Sequence, residues 1–283
     1  MYKTKLCLAA SQGFGIDIET QIRMFRAAGF DGFFTDWDGN LAKYREIADE
    51  LGMEYQSVHA PFKKVAKIWQ GGEEAEAAVS ELISCVRDCA AAGVPIMVSH
   101  VYIGFEPGDG PTPEGIEGFR RVVDEAKRLG VKVAFENTEG EEYLAALMNA
   151  FKGYDNVGFC WDTGHQMCYN YSTDMMELYG DRLICTHIND NLGVRDFEGK
   201  ITYHDDLHLL PFDGIGDWEE ITDKLNKWGY DGILTFELKI KNSKNRFDNE
   251  KYQNMRIEQY IAEAYARACR VASLKLSRLK AKG

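Results

Sequence analysis

The 283-residue sequence lacks any long apolar run, and no stretch approaches the roughly 18 consecutive apolar residues that a membrane-crossing helix needs. The first residues, MYKTKLCLAASQGFGID, carry two lysines but too short an apolar core for a secretion signal. No C-x-x-C pair occurs, and seven cysteines are an odd number, so neither a disulfide framework nor a paired-thiol zinc site is indicated. Cys7, Cys160, Cys168 and Cys185 fall in or beside apolar segments, as small hydrophobes do. Cys85 and Cys89 lie one helical turn apart with no second pair to complete a site. The expectation is a reduced, cytoplasmic protein with no membrane partner. Positive charge is also scarce: 33 Lys and Arg against 45 Asp and Glu leave a net charge of −12, which disfavours binding to phosphate backbones. Missing too are a Pro, Ser or Gly-rich linker and a glycine-rich phosphate loop, because GFG at Gly13 to Gly15 lacks the further glycine of a dinucleotide-binding turn. Residues 1–283 therefore read as one domain, with a last helix and basic tail (Lys275, Arg278, Lys280, Lys282) over about 250–283.

What the sequence does contain is an alternation of short apolar runs with longer segments of helical period, repeated eight times. The runs are KLCLAA from Lys5, DGFFTDW from Asp31, EYQSVHA from Glu54, PIMVSH from Pro95, KVAFENT from Lys132, VGFCWDT from Val157, LICTHIND from Leu183 and GILTFELK from Gly232. Helices are expected over Asp17 to Ala28, Asn40 to Leu51, Glu73 to Ala92, Pro113 to Leu129 and Asp217 to Trp228. Several of these segments stop at a glycine (AAGF, ELGM, AAGV, RLGV, KWGY), the residue that most easily takes the left-handed turn closing a helix. Eight strand–helix units in constant order predict an α/β fold, a single-domain (β/α)8 TIM barrel.

Six of the apolar runs end in a residue that an apolar strand has no structural need for: His59, His100, Glu136, Asp162, His187 and Glu237. In such a barrel all strand C-termini open on one mouth, so these six become neighbours. Three carboxylates crowded there would take up protons unless a cation kept them ionised. Mixed carboxylate and imidazole donors suit Mn, Zn, Co or Fe(II), with Mg less favoured. His165, just past Asp162 in D-T-G-H, and His204, Asp205, Asp206 and His208 in the loop following His187 join the same end.

Together VHAPF (58–62), Ser99–His100, FENTEG (135–140), WDTGH (161–165), HIND (187–190), DLHLLPFDGIGDW (206–218) and FELK (236–239) resemble the xylose isomerase-like barrel superfamily. That superfamily includes sugar phosphate isomerases and epimerases, ketose 3-epimerases, inosose dehydratases and the abasic-site endonuclease IV family. The resemblance implies one divalent metal ion (Mn, Zn or Co) on Glu136, Asp162, His187 and Glu237. It implies a sugar or sugar-phosphate isomerase or epimerase in which Glu136 and Glu237 abstract and return a proton beside a carbonyl, through a metal-stabilised enediolate. His59, His100, His165, Glu142, Arg195 and His208 are then expected to contact the carbohydrate substrate. Lys239, Lys241, Lys244 and Arg246 are candidates for a phosphate, and Trp37, Trp69 and Trp161 for stacking or packing. Two alternatives stay open, a keto-polyol dehydratase and an endonuclease IV-like nuclease with a multi-zinc site. The further ligands of the nuclease all have counterparts here: His59, His100, His165, Asp206 and His208. A homo-oligomer is compatible with the sequence.

Overall fold

In the computed structural model, which describes residues 4–105, 108–194, 201–242 and 246–281, helix starts and stops follow the capping residues. Asp17 accepts from Thr20 N ahead of the helix Ile18–Ala28, and Thr112 accepts from Gly115 N ahead of Pro113–Leu129, with Pro113 in the first helical position. Gly52 and Gly130 (φ 62° and 74°) close Leu41–Leu51 and Pro113–Leu129 in the left-handed region. Gly72–Ala91 and Trp218–Lys227 complete the helices expected from the periodicity.

Eight strands follow: β1 (Leu6–Ala10), β2 (Gly32–Asp36), β3 (Glu54–His59), β4 (Ile96–Ser99), β5 (Lys132–Glu136), β6 (Val157–Asp162), β7 (Leu183–His187) and β8 (Leu234–Phe236). All pair in parallel in the order β7-β6-β5-β4-β3-β2-β1-β8. The remaining seam is closed by a parallel bridge between Ile188 and Phe236, with Ile188 N donating to Thr235 O (2.7 Å) and Glu237 N to Ile188 O (3.1 Å). This is a single-domain (β/α)8 TIM barrel, with each strand C-terminus at one mouth. The C-terminal helix Ile257–Ala281 packs across Trp218–Lys227 and Ile18–Ala28.

The large apolar core lies between the strands and the helices, and a second small cluster holds Val98, Ala134, Cys160 and Cys185. Side chains two apart on a strand share a face. Glu136, Asp162 and His187 therefore lie one step toward the mouth from Ala134, Cys160 and Cys185.

The long connection after β7 is organised by Asp190, which is fully buried. Its Oδ1 accepts from Asn191 N (2.9 Å) and Gly216 N (3.0 Å), and its Oδ2 from Phe212 N (2.9 Å) and Trp218 Nε1 (3.0 Å). Its main chain exchanges two further bonds with Leu209. The glycines of DGIGDW make room for this carboxylate: a Cβ on Gly214 would lie 2.1 Å from Asn191 O and 2.3 Å from Asp190 Oδ1. Neither neighbour can yield, one being backbone and the other held by four donors. Gly214→Ala should lower unfolding stability by roughly 1–3 kcal/mol in a denaturant titration, the usual range for overpacking a filled site.

Candidate metal centre

Residues from six strand ends and two following segments meet at the mouth. His59, Glu136, Asp162 and His187 are the last residues of β3, β5, β6 and β7, while His100 and Glu237 follow β4 and β8 by one residue. His165 lies in the short helix Thr163–Cys168, whose N-cap is Asp162 itself: Asp162 Oδ1 accepts from His165 N at 2.7 Å. Asp206 and His208 come from the loop that Asp190 anchors, with His208 at φ 48° and Phe212 at φ 74°, left-handed backbone that non-glycine residues adopt at a cost.

Three donor groups result, in each of which one ligand atom per residue lies within 4.8 Å of the others: Glu136, Asp162, His187 and Glu237; His59, His100 and Glu136; His165, Asp206 and His208. Glu136 belongs to the first two. Its Oε1 lies 3.2 Å from His187 Nδ1, and its Oε2 lies 3.4 Å from His59 Nε2 and 3.5 Å from His100 Nε2. Glu237 Oε2 approaches His187 Nδ1 from another side at 2.9 Å.

The fit of this set to metal ions can be tested on hydrogen bonding alone. His59, His165 and His208 each turn Nδ1 to a main-chain carbonyl, Ala60 O at 2.9 Å, Asn137 O at 2.9 Å and Glu237 O at 3.2 Å. A carbonyl only accepts, so Nδ1 carries hydrogen in all three and Nε2 is left as the titrating, ligating nitrogen. Each Nε2 faces a carboxylate: Glu136 for His59, and Asp206 for His165 (3.8 Å) and His208 (2.6 Å). Ligating histidines are characteristically oriented this way. Glu136 Oε2, His187 Nε2, His100 Nδ1 and Asp206 Oδ1 are moreover buried with no hydrogen-bond partner. Such orphaned atoms cost about 1–3 kcal/mol each, and a cation can satisfy those that aim at it. The residues fit one or more divalent ions.

The electrostatics agree. Burial would raise the Glu136 carboxyl, yet His187, His100 and His165 hold it well below the usual range, and burial of Asp206 is likewise overcome by His208, Lys239 and His165. Burial would strip the proton from His165 and His187, but the facing carboxylates outweigh it and raise both well above the usual imidazole value. Asp162 is pushed up, chiefly by burial. Protons and metal ions thus compete for the same nitrogens, so metal affinity should fall as pH drops and binding should release protons, measurable by calorimetry in buffers of different ionisation enthalpy.

A cavity of about 540 Å³ stands over these groups, lined also by Asp36, Phe62, Ile103, Phe105, Glu139, Tyr169, Tyr203 and Lys239. Of the residues read from the sequence as substrate contacts, His59, His100, His165 and His208 line it. Glu142 does not: it is exposed in the first turn of the helix Glu141–Ala150, where a carboxylate suits the helix N-terminus, and Glu139 takes the cavity position. Arg195 and Lys244 lie outside the described residues. Arg246 is paired with Asp248 (2.7 Å) and Asp205 (3.7 Å), and neither it nor Lys241 lines the cavity, which leaves Lys239 as the phosphate candidate on the wall among the described residues. Trp69 and Trp161 are buried packing residues, and Trp37 Nε1 donates to Asp88 (2.8 Å).

Two asparagines outside the expected set hold Asp162. Asn189 Nδ2 donates to both oxygens of Asp162 (3.1 and 3.0 Å), and Asn137 exchanges bonds with the Asp162 main chain (2.8 and 2.9 Å). Gly164 leaves space for the first, since a Cβ there would lie 1.9 Å from Asn189 Oδ1. The polar residues in FENTEG and HIND were the available signal. Outer-shell partners of this kind are worth 10–100-fold in metal affinity. Asn189→Ala should weaken binding by about that factor in a chelator competition assay while the fold is retained.

Residues 22–257 match the family model described as xylose isomerase-like TIM barrel. The chain belongs to that family. An uncharacterized protein of Sinorhizobium fredii, y4fM, is 28% identical over 270 residues, covering 82% of each chain. A probable endonuclease 4 of Trichlorobacter lovleyi is 29% identical over 154 residues, 44% of this chain and 53% of that protein. The solved structure of an L-ribulose 3-epimerase superposes with a TM-score of 0.73 at 15% identity, covering 99% of this chain and 98% of the other, a likeness of fold.

Proposed function

We propose that the protein is a divalent-metal-dependent isomerase or epimerase of a sugar or sugar phosphate. The observation that carries this reading is the placement of Glu136 and Glu237 against the same His187 nitrogen, at 3.2 and 2.9 Å, under a cavity of about 540 Å³, a volume in the range of small-molecule sites. Glu136, Asp162, His187 and Glu237 would hold a divalent ion, which would supply Lewis-acid polarisation of a substrate carbonyl. The chain supplies the proton chemistry. Glu136 projects from β5 and Glu237 from the end of β8, on separate sides of the mouth, so one carboxylate can take a carbon-bound proton and the other deliver one to the opposite face. Glu237 is the more open, its side chain 26% exposed against 1% for Glu136, and is assigned the abstraction. His59, His100, His165 and His208 offer hydrogen bonds to hydroxyls, and Lys239 Nζ, 3.3 Å from Asp206, supplies one cation at the wall for a phosphate. The L-ribulose 3-epimerase likeness supports this reading at the level of fold.

A second reading is favoured by one specific observation, the two further donor groups His59–His100–Glu136 and His165–Asp206–His208. Three ions, two of them sharing Glu136, would suit hydrolysis of a phosphodiester, with water activated between metals. One set of experiments separates the two. The isomerase reading expects activity with about one ion per chain and chelator-sensitive deuterium incorporation beside the carbonyl of a ketose in deuterated water. Glu237→Gln should slow that exchange by about 10²–10⁴-fold. Three tightly held ions, no exchange across a sugar panel and cleavage of an abasic duplex would replace it with the nuclease reading.

A further inference from the structure

Directly beneath the mouth, the barrel interior changes chemistry. Barrel interiors are normally filled by bulky branched side chains. Here the small cluster beneath the carboxylates is Val98, Ala134, Cys160 and Cys185, with the buried amide of Gln56 donating to Cys185 Sγ at 3.2 Å. Cys160 and Cys185 are register partners on β6 and β7, both fully buried and free. Cys160 Sγ, Cys185 Sγ and a ring nitrogen of His187 all lie within 4.8 Å of one another, a span one ion can bridge.

His187 supplies an independent pointer. Its Nδ1 addresses Glu136 and Glu237, while its Nε2 is buried with no hydrogen-bond partner. With Nδ1 donating to the glutamates, loss of the Nε2 proton exposes a lone pair in a sulfur-lined interior. Packing explains small residues at these positions. It does not explain an amide aimed at a sulfur and an imidazole nitrogen left unpaired beside a pair of thiols.

We propose that Cys160, Cys185 and His187 form a second site, for a thiophilic ion such as Zn²⁺, Cd²⁺ or Cu⁺, stacked beneath the oxygen-rich quartet. Both sulfurs bind as thiolates and His187 through a deprotonated Nε2, so the two thiol protons and the Nε2 proton leave as the ion enters, and the Gln56 N–H stabilises the sulfur charge as an outer-shell donor. The fourth position is open to a small ligand. Soft thiolates select ions that the carboxylates above do not, and neutral His187 has a single lone pair, so it serves the sulfur pair through Nε2 or the quartet through Nδ1 and the two sites sort metals by softness.

The test is a Cd²⁺ titration of the full chain after chelator treatment, followed by sulfur-to-cadmium charge-transfer absorption and by ¹¹³Cd NMR. The expected result is a thiolate-type signal in the wild type that persists in Glu237→Gln and in the Cys85→Ser/Cys89→Ser variant, and falls at least tenfold in apparent affinity in Cys160→Ser/Cys185→Ser. Near-ultraviolet circular dichroism of the serine variant checks that its fold is retained, and Cys185→Ser alone, which keeps Cys160, should show a weakened signal. A ¹¹³Cd resonance in the oxygen and nitrogen range only, or a sulfur signal that survives Cys160→Ser/Cys185→Ser or vanishes with Cys85→Ser/Cys89→Ser, overturns the proposal. Deuterium exchange into a sugar is a separate readout, so failure here leaves the isomerase reading standing, and the reverse.

Discussion

A buried carboxylate facing four imidazoles is the constraint around which the mouth is built. Glu136 is fully buried, and His59, His100, His165 and His187 all bring a ring nitrogen to within 3.5 Å of it. Leaving such a charge unpaired would cost several kcal/mol, and pairing it with one arginine would satisfy the charge but leave nothing to exchange. Imidazoles are different because each can surrender its proton to make room for a metal. The arrangement is held electrically in either condition, which lets a barrel end carry three acidic strand residues without unravelling.

The supports of this centre come from the main chain as much as from side chains. Three histidines are fixed by carbonyls of Ala60, Asn137 and Glu237, each from the mouth's own segments. Asp162 serves as helix cap and donor-group member at once, so the turn that positions His165 cannot shift without moving the carboxylate. Precision follows from sharing.

Much of this was legible in the sequence because topology does the gathering. Eight apolar runs separated by helical periods fix the barrel, and the polar residue closing six of them fixes the mouth. Strand bounds agree to within a few residues, the largest trimming being GILTFELK, which pairs only over Leu234–Phe236. What was not legible depends on three-dimensional reach. Glu142 is near Glu136 along the chain, but Gly140 (φ 77°) turns the backbone, a helix begins and that residue is exposed. Asn189 and Asp190 read as the tail of the seventh apolar run, yet one grips Asp162 and the other anchors the connection that follows. The sulfur pair read as small hydrophobes, which the burial supports and the neighbouring imidazole complicates.

The connection after β7 is fastened at its two ends by Asp190 and, through Asp213, by Tyr252 (2.6 Å) and Arg267 (3.2 Å). It delivers Asp206 and His208 to the mouth without contributing a barrel strand. Descendants of such a protein can therefore rewrite this one excursion, gaining or discarding the two donors that complete a trio with His165, while the eight-stranded frame and the quartet at its rim are inherited intact. Divergence between chemistries on this frame needs only a change of insert.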